Sequence, residues 1–198
     1  MAEADVIDTL VGIRPGSALD AIRARRPEAR AQAQASWRAL FAPAALGGVT
    51  LEDRFAVAYF VTGLHGQADI AAFHAQKLAA ARRAAVDAAV AEARGQGPYG
   101  SYPAGPLSQE NAPGPVYRAG AATRQALGAK LAAAFEHVHM LVFHPRDAEP
   151  GSLQAMLDAG WSTDDIVTLS QLVAFLSFQI RAVAGLRVLA AADPRAPQ

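Results

Sequence analysis

This 198-residue chain has five histidines and no cysteine, so imidazole is the only side chain it offers that titrates unaided near neutral pH. His74 is the foremost candidate for acid/base work on that ground. The competing reading of His74 is a ring packed against a neighbouring helix and bonded to backbone. His65, in the turn just before, is a second proton carrier if it faces the same cavity and an exposed turn residue if it does not. Gln67, Ile70 and His74 stand at i, i+3 and i+7, which a helix gathers on one face. Gln67, near the expected helix start, can hydrogen-bond a substrate carbonyl or carboxylate, or replace a cap; Ile70 reads most simply as core. His137 and His139 are two apart on an expected helix and point about 200° away from each other, a poor arrangement for co-ligands. No cluster has a dependable metal spacing, so neither a dedicated metal site nor a cofactor is expected. No glycine-rich loop follows a strand and no Ser/His/Asp order assembles, which disfavours nucleotide binding and serine hydrolysis. Arg181 reads as a cross-helix ion-pair partner before a group that faces a substrate anion.

Composition narrows the chemistry further. Without sulfur there is no thiol nucleophile, redox disulfide, Cys-ligated zinc or iron–sulfur cluster. The 18 Lys and Arg balance 18 Asp and Glu without a long basic run, which argues against nucleic acid as a partner. A chain of this length buries roughly 70% of its unfolded surface and needs no disulfide to hold a core. The acidic start, residues 1–5, leads into no apolar signal segment, so a cytoplasmic protein is expected. The most apolar stretch, 166–192, is interrupted by Ser170, Gln171, Ser177, Gln179, Arg181 and Arg187 and reads as a buried or oligomer-interface helix, with no membrane partner expected.

The elements that would position these groups are helical. Alanine and leucine dominate, alternating β-branched runs are missing, and the expected class is an all-α bundle of about seven helices in one domain spanning 1–198. Ser17 caps a helix over 18–26, and Pro27 suits the first turn of the next, over 27–41. Gly47-Gly48 breaks the chain, and Thr50 with Asp53 makes a capping box for a helix carrying Phe55, Ala58, Tyr59 and Thr62 on one face. A turn at 63–66 then leads into one long helix over 68–94, more exposed in its second half. Eleven of the 26 residues from Gly95 to Gly120 are Gly or Pro, which rules out helix through most of that insert. Tyr99, Tyr102 and Tyr117 make it an ordered strap across the surface, suited to a subunit contact. Further helices are expected over 123–143, over 152–159 closed by Gly160, and over 163–191 opened by Ser162 with Asp165. The tail 193–198 is expected to fray.

Two stretches carry a resemblance. The first is 51–61 (LEDRFAVAYFV) with 64–75 (LHGQADIAAFHA); the second is 153–167 (LQAMLDAGWSTDDIV) with 178–186 (FQIRAVAGL). Together they resemble the carboxymuconolactone decarboxylase and alkylhydroperoxidase-D-like superfamily, and the central insert resembles its larger, peroxidase-related branch. In redox-active members a glutamate lies about three turns ahead of a C-x-x-C-x-x-x-H segment at a helix start. Here Gln67 and Ile70 stand where those cysteines would be, His74 matches the histidine, and Phe55, after Arg54, takes the glutamate's place. The resemblance therefore implies the family's helical bundle and homo-oligomeric assembly, with an apolar, weakly polar-lined cavity in place of the thiol relay. Three functional expectations follow. The first is a peroxidase-related protein without thiol peroxidase turnover. The second is a non-redox, lactone-decarboxylase-like enzyme using His74 with Gln67 as orienter and taking a small organic acid. The third is a non-catalytic binding or scaffold partner.

Overall fold

Thr50 opens the helix on which the rest of its unit is built. Its hydroxyl accepts from the Asp53 N–H while the Asp53 carboxylate accepts from the Thr50 N–H, the reciprocal box read from the sequence. The computed structural model describes residues 4–192, and among them there are ten α-helices, two short 3-10 turns and no strand. They are α1 Val6–Val11, α2 Ala18–Ala24, α3 Pro27–Phe41, α4 Leu51–Leu64, α5 Ala68–Ala75, α6 Ala80–Ala93, α7 Ala121–Leu127, α8 Ala129–Phe143, α9 Pro150–Asp158 and α10 Thr163–Ala192. The all-α class holds. The helices exceed seven because α1 was not anticipated and two expected helices are each broken in two.

The expected helix over 68–94 stops at Ala75 and restarts at Ala80. No Gly or Pro intervenes. The Lys77 and Leu78 N–H groups close back on the His74 and Ala75 carbonyls, Leu78 is buried, and Ala79 is extended. The break lets both halves pack on α4. It also buries Ala85, Val86, Ala89, Val90 and Ala93 of the second half, which is amphipathic rather than exposed. The expected helix over 123–143 breaks at Gly128, whose φ of 84° turns α8 by 114° from α7. The expected helix over 18–26 ends two residues early, where Arg25 closes onto the Ile22 carbonyl. The tail expected to fray, 193–198, lies outside the described residues.

The described residues fall into two compact units. One comprises those up to Ala44 with those from Phe175 on; the other runs from Ala45 to Ala174. In the first, α1 and α2 are six and seven residues long, too short to persist alone. An ion network ties them to α3: Arg23 meets Asp5 at 2.9 Å and Asp8 at 2.7 Å, and Arg30 reaches Asp8 and, at 2.9 Å, Asp20. Gln34 of α3 is buried and accepts the Val6 N–H, and Trp37 stacks on Phe41.

In the second unit α4 is the hub. Arg54, Ala56, Val57, Ala58, Phe60, Val61, Thr62 and Leu64 are all buried, so burial extends well beyond the single face that the sequence outlined. Helices α5, α6 and α8 pack on α4, and α7 and α9 pack on α8. Phe60 stacks on Phe135 with ring centroids 4.2 Å apart. Buried Arg54 donates to the Val49 and Leu46 carbonyls and so shapes the loop ahead of α4. Asp165 completes a second reciprocal box with Ser162 at the start of α10, and its carboxylate also accepts the Gly48 N–H at 2.9 Å.

The insert is a packed strap. Tyr99 is buried, donates its N–H to the Phe143 carbonyl and its hydroxyl to the Pro115 carbonyl, and stacks on His144. Gly100 and Ala112 exchange N–H···O bonds across the strap, and Arg146 lies over the Tyr102 ring while donating to the Glu110 carbonyl. At its far end Tyr117 is buried, Glu136 accepts from the Ala119 N–H and from Arg124, and Glu92 accepts from Gly120 and Thr123.

Candidate functional site

Gln67 and His74 come from opposite ends of α5 and meet different surroundings. Gln67 is the residue before the helix, half-buried, with its amide within 3.5 Å of the His65 carbonyl. It lines a groove of about 280 Å³ together with Tyr59, Gly66, Ala71, Asp87 and Arg94. The Tyr59 hydroxyl bonds the Asp87 carboxylate, and burial with that partner raises the phenol to about 12. Ile70 and His74 point the other way, into the core, each with no solvent exposure. The Phe55 ring lies 6.3 Å from the His74 ring and the Phe73 ring 5.3 Å from it. Burial alone pushes His74 down to about 3, so it is a neutral ring throughout the physiological range. His65, half-buried, ends α4 with its N–H on the Val61 carbonyl. The structure thus brings Phe55 and His74 together, while Gln67 faces the groove. The expected single face of Gln67, Ile70 and His74 divides between groove and core.

A larger cavity, about 820 Å³, lies among the strap, α8, the turn after it and α9. Met140, Met156, Ala133 and Ala155 supply its apolar lining, and His137, His144, Glu136, Asp147, Glu149, Arg118 and Arg146 its polar groups. The His144 Nδ1 stands 3.1 Å from the Asp147 carboxylate, which also accepts the Ser101 N–H at 2.7 Å. One carboxylate therefore orients the imidazole and pins the strap. His137 is buried, its Nε2 3.3 Å from the Ser170 hydroxyl, and burial lowers its pKa. His139 is not among the residues lining the cavity and packs against Tyr117, Phe143 and His144. Burial and the nearby His144 push it down to about 4. The two residues of the H-x-H pair thus enter different surroundings, and among the described residues no three metal-ligating side chains converge.

None of the site residues expected from the sequence lines this cavity; its signal in the sequence is His144-Pro145-Arg146-Asp147, a histidine with a carboxylate three residues on across a proline turn. Arg181 is exposed and donates to the Ser177 carbonyl at 2.9 Å. Among the described residues one helix, α10, is long and apolar enough to cross a membrane, with mean hydropathy 1.6 over its most apolar window and 39% of that window buried.

The fold and these two concavities define a cysteine-free, all-α protein. The chain matches no family model, no curated protein and no solved structure.

Proposed function

We propose that this chain is a peroxidase-related member of the carboxymuconolactone decarboxylase and alkylhydroperoxidase-D-like group that has no thiol peroxidase turnover. The reading rests on the resemblance of 51–75 and 153–186, and one observation carries its negative half: the His74 environment. A peroxidatic relay needs a thiolate, a resolving thiol and groups that exchange protons with it. The matching positions hold Gln67 and Ile70, and the histidine is sealed against Phe55 and stays neutral down to about pH 3. A ring so placed is poorly suited to proton transfer at neutral pH, which weighs against the decarboxylase-like acid/base alternative at His74.

The groove beside Gln67 supports a binding role instead. Its Arg94 guanidinium and Gln67 amide are hydrogen-bond donors of the kind that hold a small organic acid. Homo-oligomeric assembly in the cytoplasm belongs to the same reading, supported by α10, where Val167, Phe178 and Val188 are at least half exposed. The test is consumption of an organic hydroperoxide by the purified protein with a dithiol donor. A rate equal to the buffer blank is expected, and a saturable rate abolished by His74→Ala overturns the proposal. Native mass spectrometry of the same preparation reads the subunit count and any retained acid; a monomer overturns the assembly part.

A further inference from the structure

Helix α10 carries four charged side chains, and two of them are spent inside the chain. Asp165 accepts the Ser162 and Gly48 N–H groups, and Arg187 donates to the Leu10 carbonyl. The other two, Asp164 and Arg181, are exposed and form no ion pair among the described residues, Arg181 reaching only the Ser177 carbonyl of its own helix. They close the two ends of one stripe. Between them Val167, Gln171, Ala174 and Phe178 follow the alternating three- and four-residue steps of a heptad seam, and all four are exposed, Val167 at 52% and Phe178 at 50%. The stripe runs about 25 Å along the helix. The opposite face is already committed, with Ile166, Leu169, Leu172, Leu176 and Ile180 buried.

This stripe is complementary to itself. Laid antiparallel on a second copy, with the two-fold axis between Gln171 and Ala174, it sets Asp164 against the partner's Arg181, Val167 against the partner's Phe178 and Gln171 against the partner's Ala174, and each contact occurs twice. A parallel, in-register pairing would set Asp164 on Asp164 and Arg181 on Arg181, which like-charge repulsion disfavours. Sliding the antiparallel pair by one heptad would set Asp164 against Val188 and Arg181 against Gln171, so both charges would lose their partners. We infer that α10 pairs antiparallel with α10 of a second copy across this stripe, in the register that joins Asp164 to Arg181. The inference rests on the homo-oligomeric assembly proposed above and names the surface that carries it. A seam of this length lies at the small end of specific interfaces and its end pairs meet solvent, so the dimer is expected in the micromolar range and to weaken with salt.

A charge swap tests it, read by sedimentation velocity of the full chain over about 1–100 µM in variants whose circular dichroism matches the wild type. Arg181→Asp turns both end pairs into facing carboxylates and is expected to raise the dimer Kd at least about tenfold. Adding Asp164→Arg to Arg181→Asp restores both pairs with their signs exchanged and should return the Kd to within about threefold of the wild type. A second measurement needs no charge variant to fold. Because the chain has no cysteine, Ala174→Cys supplies a single thiol beside the two-fold axis, and a bis-maleimide with a spacer of about 8 Å should link two copies through it. The same thiol at exposed Ala88 of α6 should stay unlinked. A dimer that Arg181→Asp leaves unchanged, a double variant that stays weakened, or Ala174→Cys linking no faster than Ala88→Cys overturns the antiparallel seam while homo-oligomeric assembly stands. A monomer at every concentration overturns both and assigns the stripe to a different partner.

Discussion

Lowering the pH from 7 to 5 should weaken the Ala45–Ala174 unit, whose buried histidines His74, His137 and His139 are all held below the ordinary imidazole value by burial. In the folded chain burial holds His74 at about 3 and His139 at about 4, against the ordinary 6.5. The unfolded chain takes up protons at these rings from about pH 6.5 downward while the folded interior refuses them, so acid favours unfolding. The stability is fully present above pH 6.5 and is lost progressively toward the folded values. Integrated from pH 7 to pH 5, each ring contributes about 2 kcal/mol of loss, or about 4 kcal/mol for the pair. That is a large share of the roughly 5–15 kcal/mol that holds an ordinary domain together. The assay is equilibrium urea unfolding in a Trp37→Phe background, which leaves buried Trp161 as the reporter on this unit. His74→Leu should lose about 2 kcal/mol of the pH dependence, the share of that one ring, whatever its stability at pH 7. The reasoning is refuted if the wild-type unfolding free energy changes by less than about 1 kcal/mol between the two pH values, or if His74→Leu keeps the full dependence.

Two further outcomes follow from single contacts. Asp165→Ala leaves the Ser162 hydroxyl on its N–H but strands the Ser162 and Gly48 N–H groups, so it should cost about 2 kcal/mol in urea unfolding; an unchanged midpoint would count against the second box. Burial raises the Asp165 pKa, but the bonds from Ser162 and Gly48 outweigh it and hold the carboxyl below its ordinary value. Gly114→Ala would set a methyl 2.1 Å from the Tyr99 ring, which must then leave its seat. Chymotrypsin should cut the strap several times faster in that variant with far-UV circular dichroism unchanged, and equal cleavage rates would mean that Tyr99 does not hold the strap.

What the sequence made legible was local. Thr50 with Asp53, Ser162 with Asp165, Pro27 and Gly160 each announce a helix boundary through a side chain or backbone property of that residue. The break at 76–79 has no such signature, because Gln, Lys, Leu and Ala all favour helix; it exists because Leu78 is buried and both flanking helices seat on α4. Gly128 was visible but was absorbed into an amphipathic run, since a helix tolerates an isolated glycine at modest cost. At the candidate site, the i, i+3, i+7 spacing placed Ile70 and His74 together but carried no information on burial. The His137 ring meets the Ser170 hydroxyl, 33 residues away, a relation that exists only after folding.

The tip of the strap makes mainly local bonds: the Ser108 hydroxyl reaches the Pro103 carbonyl and the Gly105 N–H, and Leu107 is half exposed. The main anchors lie outside it, at Tyr99, the Gly100–Ala112 bridge and Tyr117, with Arg146 on the Glu110 carbonyl at its end. Lengthening a loop whose stem is already closed adds only about 0.6 kcal/mol per doubling. The segment between Pro106 and Glu110 is thus a natural port for inserted sequence, where a peptide tag or a small reporter domain can be carried while the helices keep their registers.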